Sequence, residues 1–277
     1  MKTIRSADNP GFRELLRLAR SPRVLRQSAL ALLEGEHLCA AYAARHGAPR
    51  RLLVTEAARE TGGVRALLDR YPQTETWTLA PGLFKELAQT ATSAGMLALV
   101  EVPRPGPVAV TGASCLLLED IQDPGNLGVL LRIAAAAGLA RAWLSPHCAY
   151  AWSGKVLRAG QGAHFAIDIV EGADLVAVAE RFPGKRVGTV VRGGASLFET
   201  ALDGPVAFLF GNEGAGLSEA LSEAVDLRLS IPMPGGMESL NVASAAAIVI
   251  FEKLRQDVPT DQSGRATPTA APRPTSG

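Results

Sequence analysis

The sequence predicts an α/β protein with two domains, and three observations support this prediction. Short apolar runs that suit strands alternate with segments that suit helices along most of the chain. Three prolines in alternate positions interrupt this alternation at residues 102–107. Polar, glycine-rich turns follow several of the apolar runs in the second part. Continuous apolar strands that alternate with helices predict a mostly parallel sheet covered on both faces in that part.

Length and composition fit this architecture. The chain has 277 residues and is 47% hydrophobic, which suits one large or two medium domains. Its N-terminus is charged, and its longest apolar run, residues 240–251, is shorter than the roughly 20 residues of a membrane span. Cys39, Cys115 and Cys148 are too few and too scattered for a disulfide framework or a zinc site, so we expect buried free thiols. We therefore expect a soluble, cytoplasmic protein without a metal site.

The first part of the chain predicts a small α/β domain over residues 1–103. Its apolar patterns predict helices at 14–18, 29–44 and 83–88, and strands at 51–55, 76–79 and 96–102. The prolines that follow make residues 104–112 an extended, semi-stiff linker.

The second part, residues 113–256, shows a more regular alternation. It predicts strands at 115–119, 141–144, 165–170, 186–191, 206–210 and 227–231, and helices at 127–137, 154–159, 173–181, 218–224 and 240–255. Asn126 is a plausible N-cap for the first of these helices. The last helix is apolar nearly all round, so it must be buried in a core or between subunits. Residues 257–277 are rich in Pro, Thr, Ser and Ala, which predicts a disordered tail.

Charge is distributed unevenly along the chain. Residues 1–105 contain 15 Lys and Arg against 10 Asp and Glu, whereas residues 106–277 contain 13 against 17. The basic excess is densest in five arginines that recur every three or four residues, namely Arg13, Arg17, Arg20, Arg23 and Arg26. This spacing predicts several guanidinium groups on one side of a helix, which suits phosphate binding. The alternative is an ordinary solvated helix face.

Several enzyme classes are excluded by their missing motifs. The sequence contains no phosphate-binding P-loop, no H-E-x-x-H, no C-x-x-C and no G-x-S-x-G. The glycines of residues 211–216 have the spacing of a dinucleotide fingerprint in reverse order and lie late in the domain, which argues against a dehydrogenase. The polar residues that remain include no metal cluster and no activated Ser or Cys. Such a set suits a reaction whose reactive group arrives on a cofactor.

Three segments carry these polar residues: 123–128 (DPGNLG) with Arg132 following, 209–218 (LFGNEGAGLS), and 231–242 (IPMPGGMESLNV). In order and spacing they resemble the three signature motifs of the SpoU/TrmH family of SPOUT RNA methyltransferases, which methylate ribose 2′-hydroxyls with S-adenosylmethionine. Residues 1–103 resemble the family's ribosomal-protein-like substrate-binding domain through Asn9-Pro10 and residues 33–38.

The resemblance implies a deep trefoil knot in the C-terminal domain and a homodimer with its active sites at the interface. It also implies structured RNA as the substrate, with ribosomal RNA favoured over transfer RNA. By motif position, the residues at the S-adenosylmethionine cofactor would be Gly211, Asn212, Gly216, Ile231, Met233 and Leu240. The residues at the ribose, or bracing the loops around it, would be Asn126, Arg132, Glu213, Ser239 and Asn241. The RNA phosphates would meet Lys155 and Arg158 as well as the five N-terminal arginines.

Arg132 is the residue we expect nearest the ribose. A guanidinium with a pKa above about 12 is a poor general base, so Arg132 would bind the adjacent phosphate and align the hydroxyl. Asn126 and Ser239 have the alternative of helix capping, and Glu213 that of bracing a loop. His164 is expected to be a packed or loop histidine rather than a catalyst.

Two other functions stay open at this point. The chain could be a non-catalytic RNA-binding or ribosome-assembly factor that keeps the fold without the reaction. It could also be a base N-methyltransferase of the wider superfamily, although its motifs match the ribose branch.

Overall fold

The structure, a computed structural model, describes residues 2–88, 94–106 and 110–258. Its N-terminal unit is a mixed five-stranded sheet with helices. The strands are β1 (Lys2–Ile4), β2 (Leu30–Glu34), β3 (Arg51–Val54), β4 (Glu75–Leu79) and β5 (Met96–Glu101). The helices are α1 (Pro10–Arg20), α2 (Pro22–Ser28), α3 (Glu36–His46), α4 (Gly62–Arg70) and α5 (Pro81–Leu87). The order across the sheet is β1-β4-β3-β5-β2, and β5 runs antiparallel to both of its neighbours.

The prediction of one helix over residues 29–44 is wrong in its first part. Residues Leu30–Glu34 form strand β2, which pairs with β5 in a register that places Leu32 opposite Leu99. Leucine and alanine favour helices in isolation, but long-range pairing and burial decide the conformation here. Gly35, with φ of 91°, then turns the chain into α3. The remaining predicted elements of this unit are confirmed, whereas β1, α2 and α4 had not been predicted.

The five N-terminal arginines do not share one helix, contrary to the prediction. Ser21 is extended (φ −131°, ψ 101°) and ends α1, and its side chain accepts a hydrogen bond from Val24 N at the start of α2. Pro22 at the first position of α2 cannot continue the hydrogen bonding of the preceding helix. All five arginines are nevertheless exposed.

The C-terminal unit is a seven-stranded, wholly parallel sheet with helices. Its strands are β6 (Cys115–Leu118), β7 (Arg141–Leu144), β8 (Asp168–Val170), β9 (Lys185–Thr189), β10 (Ala195–Ser196), β11 (Val206–Phe210) and β12 (Leu227–Ser230). Its helices are α6 (Pro124–Ala136), α7 (Gly154–Gly160), α8 (Leu175–Arg181), α9 (Glu219–Glu223) and α10 (Val242–Asp257). The order is β10-β12-β9-β11-β6-β7-β8, and every pair is parallel. The predicted parallel α/β architecture is therefore confirmed, with a shorter β8 than expected.

Two helices are capped by residues other than those considered from the sequence. Helix α6 is capped by Asp123, whose Oδ1 accepts from Asn126 N at 2.7 Å, so Asn126 lies inside the first turn and is not the cap. Helix α10 is capped by Asn241, whose Oδ1 accepts from Ala243 N at 2.9 Å, and not by Ser239. Both corrections leave the side chains of Asn126 and Ser239 available for other contacts.

Helix α10 buries one side against the protein and contacts α6. Its last residue is Asp257, the first residue of the predicted tail, and residues 259–277 of that tail lie outside the described residues. Residues 107–109 of the predicted linker also lie outside them. The domain boundaries therefore stay a prediction.

The two units pack directly against each other. Buried hydrophobic residues from both form one continuous core, and the Tyr42 ring meets the Phe165 ring edge-on with centroids 5.8 Å apart. Arg26 of α2 reaches the C-terminal unit, where its Nη2 lies 3.4 Å from Glu171 Oε1 and its guanidinium lies 5.0 Å from the centroid of the Tyr150 ring. These contacts fix the N-terminal arginines relative to the parallel sheet.

The three cysteines are buried and free, as expected, and burial raises the pKa of the Cys39 and Cys115 thiols to about 12. None of the helices within the described ranges has the length and apolar character that crossing a membrane requires.

Candidate active site at the carboxyl ends of the parallel strands

A cavity of about 500 Å³ lies where β9, β11 and β12 end. Ligands of parallel α/β sheets bind at this edge, and ligand cavities typically measure about 300–1,000 Å³. The wall of the cavity is formed by the segments that follow the three strands, namely residues 189–191, 211–217, and Ile231, Met233, Ser239, Leu240, Asn241, Val242 and Ala245. All six residues predicted at the cofactor line this cavity. Glu213, Ser239 and Asn241 line it as well.

The loop after β11 is closed on itself. Asn212 O accepts from Gly216 N at 2.9 Å, and Asn212 Oδ1 accepts from Gly214 N at 2.9 Å and from Ala215 N at 3.1 Å. A Cβ on Gly211 would lie 2.2 Å from the carbonyl carbon and oxygen of Gly216, so only glycine fits there. The backbone of this loop is therefore fixed in shape and close to any ligand in the cavity.

Two acidic residues after β6 anchor the same loop, and sequence reasoning missed both. The Glu119 carboxylate accepts from Ser218 N and from Ser218 Oγ, each at 2.7 Å. The carbonyl of Asp120 accepts from Asn212 Nδ2 at 2.9 Å, and Asp120 itself has a φ of 53°. The signal that could have identified them is an acidic pair directly after a buried strand and ahead of the first glycine-rich segment.

Asn126 joins the three predicted segments. Its Oδ1 accepts from Asn241 Nδ2 at 2.9 Å, and its Nδ2 donates to Glu213 Oε1 at 3.0 Å. Asn241 is oriented because its Oδ1 already accepts from the first amides of α10. The three polar turns, which are far apart in the sequence, therefore converge at one place, as predicted.

Arg132 lies on α6 but does not line the cavity. It follows Asn126 by six residues, which is about 9 Å along a helix axis. Its side chain is exposed and makes no hydrogen bond or ion pair with any residue that the structure describes. Its guanidinium is therefore available to a ligand beside the cavity rather than inside it.

The predicted RNA-binding residues form two groups. Lys155 and Arg158 are exposed on α7, which packs closely on α6 because a Cβ on Gly128 would lie 2.5 Å from Ala159 Cβ. Among the N-terminal arginines, Arg13 pairs with Asp8, Arg20 lies 3.6 Å from Glu86, and Arg26 is engaged at the contact with the C-terminal unit. Contact of these side chains with RNA stays a prediction.

His164 is packed, as expected. It is only 3% exposed, its Nε2 lies 2.8 Å from Ala151 O, and its ring meets Trp152 with centroids 5.1 Å apart. Burial lowers the pKa of His164 to about 4, so its imidazole is neutral near pH 7. No group of three or more His, Cys, Asp or Glu that could hold a metal ion occurs within the described part of the chain.

The arrangement suits an organic ligand that has both polar and apolar parts. Backbone amides and the side chains of Glu213, Ser239 and Asn241 supply polar contacts, while Ile231, Met233 and Leu240 supply apolar ones. The fixed glycine loop and the hydrogen bonds from Asn126 to Asn241 and Glu213 favour precise positioning of a bound ligand. Precise positioning of the reacting groups is a recognised source of rate enhancement.

Comparison with known proteins supports a single family. A model of the SpoU rRNA Methylase family matches residues 113–251. The 23S rRNA (guanosine(2553)-2′-O)-methyltransferase RlmP of Bacillus subtilis is 34% identical over 254 residues, which covers 91% of this chain and 98% of that protein. The 23S rRNA (uridine(2479)-2′-O)-methyltransferase of Streptomyces viridochromogenes is 31% identical and covers 82% of each chain.

Solved structures agree with this result. The SpoU methyltransferase AviRb of Streptomyces viridochromogenes, in complex with the cofactor AdoMet, superposes with a TM-score of 0.79 at 28% identity and covers 90% of this chain and 98% of that chain. An rRNA methyltransferase from Sinorhizobium meliloti has the same fold, with a TM-score of 0.82 at 23% identity over 93% of this chain and 99% of that chain. The convergence of its three segments and these matches show that the chain belongs to the SpoU rRNA methylase family.

Proposed function

We propose that this protein transfers a methyl group from S-adenosylmethionine to a ribose 2′-hydroxyl of ribosomal RNA. The observation that carries the proposal is the pair of hydrogen bonds from Asn126 to Asn241 and to Glu213, which holds the first family segment beside the cavity that the other two segments line. The relatives named above are 2′-O-methyltransferases of 23S rRNA, and they align with 91% and 82% of this chain.

The cavity fits S-adenosylmethionine. Gly211 allows backbone to approach where a side chain would clash, and the wall offers apolar surface at Ile231 and Leu240 beside polar groups at Ser239 and Asn241. Gly211, Asn212, Gly216, Ile231, Met233 and Leu240 would hold the cofactor. When bound, S-adenosylmethionine supplies an electrophilic methyl group on a sulfonium.

Arg132 would position the substrate. Its exposed guanidinium has the fork geometry that binds a phosphate through two hydrogen bonds, and a bound phosphate orients the neighbouring ribose. Asn126, Glu213, Ser239 and Asn241 would line up the ribose hydroxyl or brace the loops that hold it. Because Arg132 does not line the cavity of its own chain, the predicted homodimer offers a natural setting in which it meets a site.

Substrate selection would involve the basic surfaces. Arg17 and Arg23 are exposed on α1 and α2, and Lys155 and Arg158 are exposed on α7. Phosphate contacts of this kind contribute affinity, while single-stranded loops and 2′-hydroxyls are what proteins recognise in structured RNA. The unit formed by residues 1–103 would therefore act as the RNA-binding domain.

Three further features belong to the same proposal. The turns after β11 and β12 would be threaded as a trefoil knot, and the close approach of Gly211 to Gly216 is compatible with such tight threading. A homodimer is supported by two large apolar side chains that are exposed on the contacting helices α6 and α10, Val129 at 39% and Phe251 at 44%. The ribosomal substrate would place the protein in the cytoplasm.

Calorimetric titration with S-adenosylmethionine tests the cofactor assignment. Micromolar binding is the expected result, and absence of binding would favour the non-catalytic alternative. Incubation of the protein with ribosomal RNA and transfer RNA, followed by nucleoside digestion, distinguishes the remaining alternatives. A 2′-O-methylnucleoside from ribosomal RNA is expected, whereas a base-methylated nucleoside or a product from transfer RNA alone would contradict the proposal.

A further inference from the structure

A second cavity, of about 390 Å³, lies in the N-terminal unit. It is lined by residues of helix α4, by the turn that follows this helix and by the first part of strand β4. A volume of this size lies within the range of about 300–1,000 Å³ that small-molecule sites occupy. None of its lining residues borders the cavity of the proposed active site, so the two cavities are separate.

Hydrogen bonds hold the walls of this second cavity. Tyr71 Oη donates to Ala43 O of α3 at 2.8 Å, which fixes the orientation of the Tyr71 ring. Arg59 Nη1 donates to Glu56 Oε1 at 3.0 Å, which restrains the Arg59 guanidinium. The cavity is therefore largely formed before a ligand binds, as is usual for small-molecule sites.

Opposite charges border the second cavity in equal number. Arg59 and Arg65 supply two guanidinium groups, and Glu60 and Asp69 supply two carboxylates. In the described structure no ion pair within 4 Å joins either of these arginines to either acid. A bare phosphate would be repelled by the two carboxylates. The set instead favours a ligand that combines acceptor atoms with N–H donors.

Guanine has this combination on one edge, where a carbonyl oxygen is followed by two N–H donors. Carboxylates accept from such donors, and a guanidinium donates to such an oxygen. Adenine and cytosine lack the second donor, and uracil has one N–H between two acceptors, so each leaves part of the set unmatched. Tyr71 adds the aromatic surface on which unpaired bases stack.

Helix α3 connects the second cavity to the C-terminal unit. Tyr71 is bonded to Ala43 of this helix, and the ring of His46, three residues later, has its centroid 6.1 Å from that of Phe165. Arg45 and His46 are exposed at this end of α3. An RNA strand that leaves the cavity can therefore follow the end of α3 to the C-terminal unit, with Arg45 available to a phosphate.

We propose that the second cavity binds one unpaired guanosine of the RNA substrate. The carboxylates of Glu60 and Asp69 accept hydrogen bonds from the N1–H and the amino group of the base. Arg59 donates to O6, Arg65 donates to the adjacent phosphate, and the Tyr71 ring stacks on the base. This inference rests on the proposed function, because it takes RNA to be the substrate.

The test measures binding of labelled single-stranded hexanucleotides to the full-length protein by fluorescence anisotropy. UUGUUU is expected to bind at least about fivefold more tightly than U6 and UUAUUU, which is the low end of what a good base contact contributes. UUIUUU, in which inosine lacks only the amino group of guanosine, is expected to bind more weakly than UUGUUU. Equal affinity for UUGUUU and U6, or for UUGUUU and UUIUUU, would overturn the subsite.

Two variants assign the preference to the cavity. Glu60→Gln and Asp69→Asn keep the shapes of the side chains, and each is expected to reduce the ratio of the affinities for UUGUUU and U6. Glu14→Gln, which changes an exposed carboxylate of α1 outside the cavity, is expected to retain the wild-type ratio. An unchanged ratio in both cavity variants would contradict the proposal.

Two further measurements locate the base and identify its source. Photo-cross-linking with a hexamer that carries 4-thiouridine beside the guanosine is expected to label residues 59–76, and cross-links confined to other segments would exclude this cavity. Displacement of UUGUUU by 5′-GMP is expected to need millimolar concentrations, since phosphate contacts along the strand supply much of the affinity. Displacement at micromolar 5′-GMP would show a site for a free nucleotide and overturn RNA as its ligand.

Failure of the subsite is distinguishable from failure of the proposed function. A protein that methylates RNA but shows no guanosine preference overturns the subsite alone. A protein that shows the preference and the cross-links but transfers no methyl group overturns the proposed function alone.

Discussion

The side-chain amide of Asn241 donates a hydrogen bond to Asn126 Oδ1 at 2.9 Å, although 115 residues separate the two asparagines in the sequence. Each of them stands in the first turn of a helix or at its cap, so its position is fixed by the helix start. Their contact ties the beginning of α6 to the beginning of α10, and Glu213 extends the connection to the loop after β11. The geometry of the proposed site therefore depends on this pair.

Replacing Asn126 by alanine is expected to lower kcat. The change removes the hydrogen bonds to Asn241 and Glu213 together, and misplacement of a site by about 1 Å can cost roughly 100-fold in rate. Steady-state methylation kinetics measure the effect. Gln122→Ala, which changes an exposed side chain directly before this segment, is the control and should keep wild-type kcat. Equal kcat values for the two variants would contradict the claim that the hydrogen bonds of Asn126 position the site.

Arg132→Lys is expected to reduce kcat by about 100-fold, because lysine keeps the charge but loses the fork that orients a phosphate. The affinity for S-adenosylmethionine should stay unchanged, since Arg132 does not line the cavity. Turnover kinetics and calorimetry together provide the measurement. Arg181→Lys changes another exposed arginine, at the end of α8, and should have no effect. Near-wild-type turnover in Arg132→Lys would rule out the positioning role.

Gly211→Ala is expected to weaken cofactor binding. The added Cβ would meet the Gly216 carbonyl at 2.2 Å, so the loop that forms the cavity wall must shift. We expect the Kd for S-adenosylmethionine to rise by about tenfold or more, which corresponds to about 1.4 kcal/mol. Gly235→Ala is the matched control, because a Cβ there meets no atom within 4 Å in the described structure. Unchanged affinity in Gly211→Ala would show that the loop does not contact the cofactor.

His164 predicts a dependence of stability on pH. Its pKa falls from 6.5 to about 4 on folding, so between these values the unfolded chain binds more protons than the folded one. The corresponding stability is present above pH 6.5 and is lost as the pH falls towards 4, at up to about 1.4 kcal/mol per pH unit. Urea unfolding at several pH values measures this slope.

The variant His164→Gln should show a smaller slope in that pH range, whereas His147→Gln, which replaces an exposed histidine, should keep the wild-type slope. Identical slopes in wild type and His164→Gln would mean that His164 titrates normally in the folded protein.

The contact between Arg26 and Glu171 is expected to contribute to the stability of the packing between the two units. Glu171 Oε1 also accepts from Ala151 N at 3.1 Å, and burial raises the pKa of Glu171. Arg26→Ala removes the cation beside this carboxylate, and because the Arg26 side chain is about half exposed we expect a loss of about 1 kcal/mol or less in unfolding free energy. A double-mutant cycle with Glu171→Gln checks the pairing. Additive effects of the two substitutions would show that the residues are not coupled.

Much of this fold is predictable because local signals and tertiary structure agree. The apolar strands of the parallel sheet and the glycine-rich turns that follow them have a plain sequence pattern, and the structure places them as expected. Leu30–Glu34 was mistaken for helix because the strand β5 that pairs with it lies more than 60 residues further along the chain. The break at Ser21-Pro22 was missed because the arginine spacing continues across it.

The candidate site likewise combines features that have a local sequence signal with features that depend on long-range contacts. The segments were recognised from their residues, but the hydrogen bonds among Asn126, Asn241 and Glu213 depend on how loops meet in space, which no local pattern encodes. The roles of Glu119 and Asp120 as anchors of the loop after β11 were missed for the same reason. The caps of α6 and α10 are Asp123 and Asn241 rather than Asn126 and Ser239, because two or more polar residues near each helix start have side chains that can accept a capping hydrogen bond.

The most direct test of the account is a map of 2′-O-methylated positions in total RNA from cells with and without this protein. The account predicts that one position in ribosomal RNA loses its 2′-O-methyl group on deletion and regains it with the wild-type protein but not with Arg132→Ala. An unchanged ribosomal methylation map, or full restoration by Arg132→Ala, would contradict it.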